Sequence, residues 1–554
     1  MAAESAGSRR VWLVVAALVL TVGVAGTFGP LWRQGASLVV AKSMLPPEIA
    51  HLEAFGKADA TLCAWIVGRN AYTLLHHPLR LFDTEHCAPM MQSMVLCVSL
   101  ITMAILGIPI WLVSGDPIVT YNGALVLQAV AAFVAMYALI VAWTDVPAAA
   151  IVAALLYAFH PVRLAPIEQP GEMDTAWTLF AVFFAWRLFA HGRWRDAIGL
   201  AVACMLLIGA SFYQLVAAAF FAPAFIVWLL VRHGFRNVRP AQLVLVAVAI
   251  IAATAAFLGP YLAARDVAGI RRESFVALTQ WSYYLPGGRL YPGIPVALLA
   301  LIGLVGGRGS TASATKPDPR WALLPGTAIL ALLIAQETHV YPLFAHAVPG
   351  FDTIRVVFRL GAVVVMTLCV FAGFGAVAVI RYLERWGRMP AFALIALAAV
   401  AVLWPVAPLQ LGYGWTYFRA RPSDETMHFY AELSRLGNDG PILELPYTVE
   451  GLQIVNAPAN IMATAFHHRR TSECYASYIA PGREEIGALV DRLPEPDAVK
   501  ALRERGFTTI VLHLGSFAGV GFRNRFEAQA AAEPSPPVRL ILASQTLNGY
   551  ELRP

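Results

Sequence analysis

The sequence predicts an α-helical polytopic membrane protein of about eleven transmembrane helices plus juxtamembrane helices, followed by a C-terminal soluble α/β domain. Three observations predict it. Of the 554 residues, 58% are hydrophobic and only 13% charged, whereas a soluble domain carries roughly 45–50% and about 25%. Apolar runs near the ~20 residues that cross a ~30 Å hydrocarbon layer recur as far as residue 411. Beyond that point the apolar runs shorten and alternate with charged segments.

The first run, Val11 to Phe28, follows Arg9 and Arg10. It resembles a secretory signal but is long and enters Gly29–Trp32 without a small-x-small cleavage site. It therefore reads as a retained helix with a cytoplasmic N-terminus. The apolar segments are 11–29, 94–113, 121–143, 147–159, 176–190, 197–212, 214–231, 241–262, 292–306, 321–335, 360–380 and 391–411. Basic loops lie at 191–196, 232–239, 308–320 and 381–388. If all twelve segments cross, every one of these loops falls outside, against the positive-inside bias. If one early segment fails to cross, all four become cytoplasmic together. Segment 94–113, interrupted at Gly107 and Pro109, is the first choice; 147–159, short for a full span, is the rival.

The external face then holds a long loop at 30–117, shorter ones at 160–175, 263–291 and 336–358, and everything after 411. Residues 1–411 read as the transmembrane domain and 412–554 as a periplasmic α/β domain. Strands are expected at 442–445, 509–514, 538–542 and 550–552, with helices near 425–436 and 495–505. No glycine-rich phosphate loop follows a strand. The net charge of +6 sits mainly in short loops between spans, so it marks topology and not a nucleic-acid partner. Six cysteines form no CxxC or Cys/His cluster; Cys63 and Cys87 share the first external loop and are a candidate disulfide if that compartment oxidises.

Several stretches resemble periplasm-facing GT-C glycosyltransferases and the related YfhO-like membrane proteins. Gly56–Asp59, Trp65 and His77–Asp83 are similar to the loop that carries the family's acidic residue. Ala158–Ala165 with Trp177, Pro349–Arg355 with Arg359, Ile442–Pro446 and Val511–His513 resemble further stretches of the group. The likeness runs over nearly the whole chain. Two departures stand out: Val98 and Ser99 occupy the place where many members carry a Glu-His pair, with Glu85-His86 thirteen residues earlier, and no WWDYG-like sequence is present. The second argues against an oligosaccharyltransferase acting on asparagine.

The resemblance implies a GT-C fold in a bacterial inner membrane. It also implies an inverting glycosyltransferase that moves a sugar from a polyprenyl-phosphate donor, held among membrane lipids, to an acceptor on the external face. Such chemistry needs a carboxylate base, cations for the departing lipid phosphate and a groove open to lipid. Asp59 is the first candidate base, its structural alternative being a cap on a helix starting near Ala60. Asp174 is the second acid, with Glu172, Glu168 and Glu85 as further acids; capping the next span is the alternative for the group at 168–174. Arg355 and Arg359, four apart, are candidate phosphate ligands by their forked geometry, against an alternative of reaching lipid headgroups. Arg271, Arg272 and Arg289 are weaker candidates. His76-His77 and His467-His468 diverge by about 100° on a helix and read as structural. Trp281, Tyr283 and Tyr284 read as interfacial anchors. The sequence neither requires nor excludes a divalent cation. Two other classes compete: a non-catalytic YfhO-like accessory protein or carrier of lipid-linked glycans, and a secondary transporter. The transporter predicts internal repeats and mid-span charges, which the sequence lacks.

Overall fold

The computed structural model of the chain describes residues 6–33, 37–43, 51–264, 271–272, 280–305, 320–334, 356–387, 389–408, 414–436, 439–449 and 452–553. At the centre of the helical bundle lies Pro147–Ala158, buried along its entire length. Its run of alanines lets Pro117–Thr144, Gly361–Leu383, Met389–Pro408 and Ala6–Arg33 approach closely from several sides. In the same bundle, Gly303 and Gly375 face each other's helix backbones where Ile294–Val305 crosses Gly361–Leu383. A side chain at either glycine would run into a carbonyl oxygen of the other helix.

Among the described residues six helices are long and apolar enough to cross a membrane: Arg9–Leu31, Pro117–Thr144, Pro147–Leu164, Phe212–His233, Pro240–Ala264 and Val357–Leu383. Shorter apolar helices accompany them, including Ile101–Ser114, Ile294–Val305 and Met389–Pro405. The two segments in competition for a non-crossing role thus differ. Residues 147–164 continue to eighteen residues, while Ile101–Ser114 holds fourteen, about 21 Å at 1.5 Å per residue.

The described residues of the long first loop largely form regular elements. Leu38–Lys42 is a strand, and His51–His76 is a helix of 26 residues packed on Ile101–Ser114 and Pro117–Thr144. The loop is also continuous with the C-terminal region. Leu38–Lys42 pairs antiparallel with Trp415–Arg419, Leu38 opposite Arg419 and Lys42 opposite Trp415. Trp65 donates its indole N–H to Thr464 Oγ1 at 2.9 Å, joining His51–His76 to Ala457–His467. Asp116 accepts from the backbone N–H groups of Ile118 and Val119, capping Pro117–Thr144, and pairs with Arg421 at 2.6 Å.

Residues 442–552 form a four-stranded sheet in the order Ile442–Leu445, Thr509–His513, Leu547–Leu552, Val538–Ala543. The first pair is parallel and the other two antiparallel. Helices Asp424–Arg435, Arg483–Asp491, Pro496–Glu504 and Phe517–Ala532 belong to this region. Only the first and third of these four lie where helices were expected.

The cysteine pairing differs from expectation. Cys87 is bonded to Cys474, and Cys63 is a free, buried thiol. Cys63 lies within the helix and is buried in the bundle core, whereas the chain around Cys87 runs beside residues 471–474. There Cys87 N–H donates to Glu473 O at 2.7 Å, Ala88 N–H to Thr471 O at 2.9 Å and Thr471 N–H to Glu85 O at 2.7 Å. Cys474→Ser is expected to lower the stability of the external region by about 2–4 kcal/mol, a typical disulfide contribution. Thermal unfolding of the variant beside the wild type measures it, and the backbone ladders that remain should keep the fold.

Candidate functional site

Asp59 lies inside the helix His51–His76, eight residues from its start, so it does not cap a helix as the structural alternative required. Its carboxylate is half-buried. Oδ1 accepts from the Tyr475 hydroxyl at 2.8 Å and Oδ2 from the Gln169 amide at 2.5 Å. The loop after the central helix brings Glu168 and Glu172 beside it, and both feel its charge.

Arg359 faces the same acids. It sits in the one-turn 3-10 helix Val357–Leu360, ahead of Gly361–Leu383, and pairs with Glu172 Oε1 at 2.6 Å. Its guanidinium lies over the Tyr213 ring, 5.5 Å from the centroid. Gln214, the next residue, donates to the Glu172 carbonyl at 3.0 Å. The N-terminus of Phe212–His233 therefore holds the pair from below. Burial raises the Glu172 carboxyl, against the pull of Arg359 and with help from Glu168 and Asp59, up to about 8. Glu168 is raised for the same leading reason. Lys42, at the end of the ladder to Trp415–Arg419, supplies a second cation that acts on both glutamates.

Asp174 lies in a different packet. It is fully buried, and its charge is felt by Arg163 and Tyr157. The Gln128 amide and Trp177 indole sit beside its carboxyl, yet neither carboxyl oxygen completes a hydrogen bond of good geometry. Nor does it cap Ala176–His191, whose N-cap is Thr175 with no side-chain bond. Burial is the leading cause that raises Asp174 to about 7, with Arg163 opposing. The folded state therefore holds this proton more tightly than an ordinary aspartate, and stability falls as pH rises from about 4 to about 7. Asp174→Asn should leave the melting temperature close to wild type at pH 4–5. At pH 8 the variant should melt a few degrees higher than the wild type, as thermal unfolding across that range will read.

The remaining candidates separate in the same way. Glu85 pairs with Arg69 at 3.2 Å, and Arg69 also donates to the carbonyls of Arg80, Leu81 and Asp83, which fixes the turn at 78–85. Arg289 is exposed, with its guanidinium over the rings of Tyr283 and Phe358 at 5.9 and 5.4 Å. Arg271 and Arg272 form a short strand with Tyr478–Ile479. Arg355 lies outside the described residues. His76 and His468 both stack with Tyr72, and His467 stacks on Tyr430. Among the described residues no three His, Cys, Asp or Glu side chains converge as a metal site.

Sequence reasoning missed Tyr475, Gln169, Lys42 and Tyr213. Gln169 carried a usable signal, since it lies between two of the candidate acids. The other three reach the site from regions distant in sequence.

No known sequence family matches the chain, and no curated protein matches it by sequence. The fold does have neighbours. It resembles the arabinofuranosyltransferase AftD from Mycobacteria at 15% identity and a TM-score of 0.51, and a variant form of that enzyme at 17% and 0.53. The likeness covers 99% of this chain and 40% and 42% of those, so the chain spans about two fifths of their length. The structure of ArnT from Cupriavidus metallidurans bound to undecaprenyl phosphate overlaps 99% of this chain and 98% of its own, at 11% identity and a TM-score of 0.42. Over its length the chain thus shares the fold of AftD.

Proposed function

We propose that this protein is an inverting GT-C glycosyltransferase that moves a sugar from a polyprenyl-phosphate donor to an acceptor on the external face of a bacterial inner membrane. One observation carries the reading: on a fold shared with a glycosyltransferase, a half-exposed carboxylate, Asp59, meets a guanidinium, Arg359, across two further acids. In the reaction the acceptor hydroxyl gives its proton to Asp59 and its oxygen bonds to the anomeric carbon. The bond from that carbon to the lipid phosphate breaks, and the phosphate leaves with the electron pair beside Arg359. A displacement of this kind needs one base and no covalent sugar intermediate, so it inverts the anomeric centre.

Exposure favours Asp59 over Asp174 as the base, since Asp174 is closed off from any acceptor. In this reading Asp174 is a buried acid beside Arg163 that does not touch the acceptor. Arg289, Arg272 and Arg355 are assigned to the approach of the lipid phosphate. The Cys87–Cys474 bond supports an oxidising compartment for both the first loop and the C-terminal region, in keeping with a periplasmic position.

The test is transfer by purified protein in lipid nanodiscs, supplied with a panel of polyprenyl-phosphate sugars and a mixture of glycan and lipid acceptors. Release of free polyprenyl phosphate together with a glycosylated product supports the reading. A folded protein that binds polyprenyl phosphate but transfers nothing from any donor would assign it instead to carriers of lipid-linked glycans.

A further inference from the structure

The residue that donates to Asp59 Oδ1 comes from the far end of the chain. Tyr475 is separated from Asp59 by 416 residues, and it follows the disulfide cysteine Cys474 directly. The segment around it is fastened on both sides. Upstream, Thr471 and Glu473 exchange backbone hydrogen bonds with residues 85–88. Downstream, Ser477 N–H donates to Leu96 O at 3.0 Å, and Tyr478–Ile479 pairs with Arg271–Arg272. The Tyr475 carbonyl lies 3.5 Å from the Cys97 thiol. This is more fastening than a docked segment needs for attachment, and at its centre lies a phenol aimed at one carboxylate oxygen.

We propose that Tyr475 is a positioning residue for Asp59, supplied by the C-terminal region, so that the reaction centre is complete only when that region is docked. The proposal rests on Asp59 being the base. With Gln169 fixing Oδ2 and Tyr475 fixing Oδ1, the carboxylate cannot rotate, and its remaining lone pairs keep one direction toward an acceptor. The bond also has an electrostatic role. Asp59 shares its surroundings with Glu168 and Glu172 from the loop, Arg359 from its turn, and the thiols Cys63 and Cys97. The two glutamates oppose its ionisation when charged, whereas a hydrogen bond donated to the charged carboxylate favours it. Burial, with the charge of Asp59 adding to it, pushes the Tyr475 phenol well up, so the hydroxyl remains a donor throughout the neutral range.

A purely structural anchor and a positioning residue give different results for Tyr475→Phe, which keeps the ring and removes the hydroxyl. The measurement is infrared titration of the full chain in nanodiscs with carbon-13-labelled aspartate, the Asp59 band being assigned by its loss in Asp59→Asn. The expected result is a move of the Asp59 midpoint to higher pH in Tyr475→Phe. The acidic limb of the rate profile should move with it, kcat should fall about tenfold, and the donor KM should be unchanged. An unmoved midpoint in a folded Tyr475→Phe overturns the proposal. Should that variant not fold, 3-fluorotyrosine at position 475, which keeps the ring and makes the hydroxyl a stronger donor, is expected to move the midpoint to lower pH, and a stationary midpoint there overturns the proposal. If the midpoint moves but Asp59→Asn still turns over, it is the assignment of the base that fails, and the two failures remain distinct.

Discussion

Asp59→Asn is expected to reduce transfer by about 10²–10⁴-fold, the usual worth of a general base, with little change in donor affinity. The substitution is a clean one in this setting. Asparagine keeps an oxygen to accept from Tyr475, and the Gln169 amide can turn over to present its own oxygen to the new amide N–H. The side chain is half-buried and its contacts survive, so the melting temperature should stay near that of the wild type. Rates of product formation in single-turnover mixtures, with saturating donor, isolate the chemical step from binding. Retained turnover in the variant would remove Asp59 from the chemistry. Glu168 would then be the next carboxylate to test, since it is also only partly buried, whereas Glu172 is tied to Arg359.

The second large effect concerns that tie. The Glu172 carboxyl lies 2.6 Å from Arg359, and where it is ionised a lipid phosphate must compete with it for the guanidinium. Arg359→Ala is expected to weaken polyprenyl-phosphate binding by roughly 10–100-fold, the equivalent of one or two charge-assisted hydrogen bonds. Above pH 8, Glu172→Gln should do the opposite and tighten it several-fold. The pH dependence follows from the Glu172 carboxyl being raised to about 8, chiefly by burial. Below that pH the carboxyl is largely protonated and competes weakly; above it the anion holds the arginine. Wild-type affinity should therefore fall as pH rises through 8, and the fall should be absent in Glu172→Gln. Calorimetric binding of polyprenyl phosphate at pH 7 and pH 9 separates the two proteins. Equal affinities in both at both pH values would show that Glu172 does not guard the arginine.

Much of this arrangement could be read from the sequence, because it depends on local pattern. The apolar spans, the acids in the loop at 168–174 and the four short strands follow from composition and periodicity within windows of a few dozen residues, and Asp59 is singled out by the resemblance of the first loop to that of GT-C enzymes. What could not be read depends on contacts between distant segments. Proximity in sequence offers Cys63 as a candidate partner for Cys87, whose partner lies 387 residues away. The cap alternative for Asp59 fails because the helix has already begun at His51, a start that the mixed residues 51–58, with Gly56 and Lys57 among them, do not announce. Arg359 was recognised for its fork and not for its partner, since salt-bridge geometry is set by how the turn at 357–360 meets the loop at 165–174. Tyr475 carries no local mark at all. Its role is defined by where the C-terminal region docks, and docking is a property of surfaces and not of a motif.

The short ladder between Leu38–Lys42 and Trp415–Arg419 has a consequence for parity. One strand leaves the first helix of the bundle and the other follows the last, Met389–Pro408. Two strands that share hydrogen bonds must lie on one side of the lipid, so the chain between them crosses an even number of times. Adding the first helix makes the total odd. Twelve crossings would have left the partners separated by the full thickness of the bilayer.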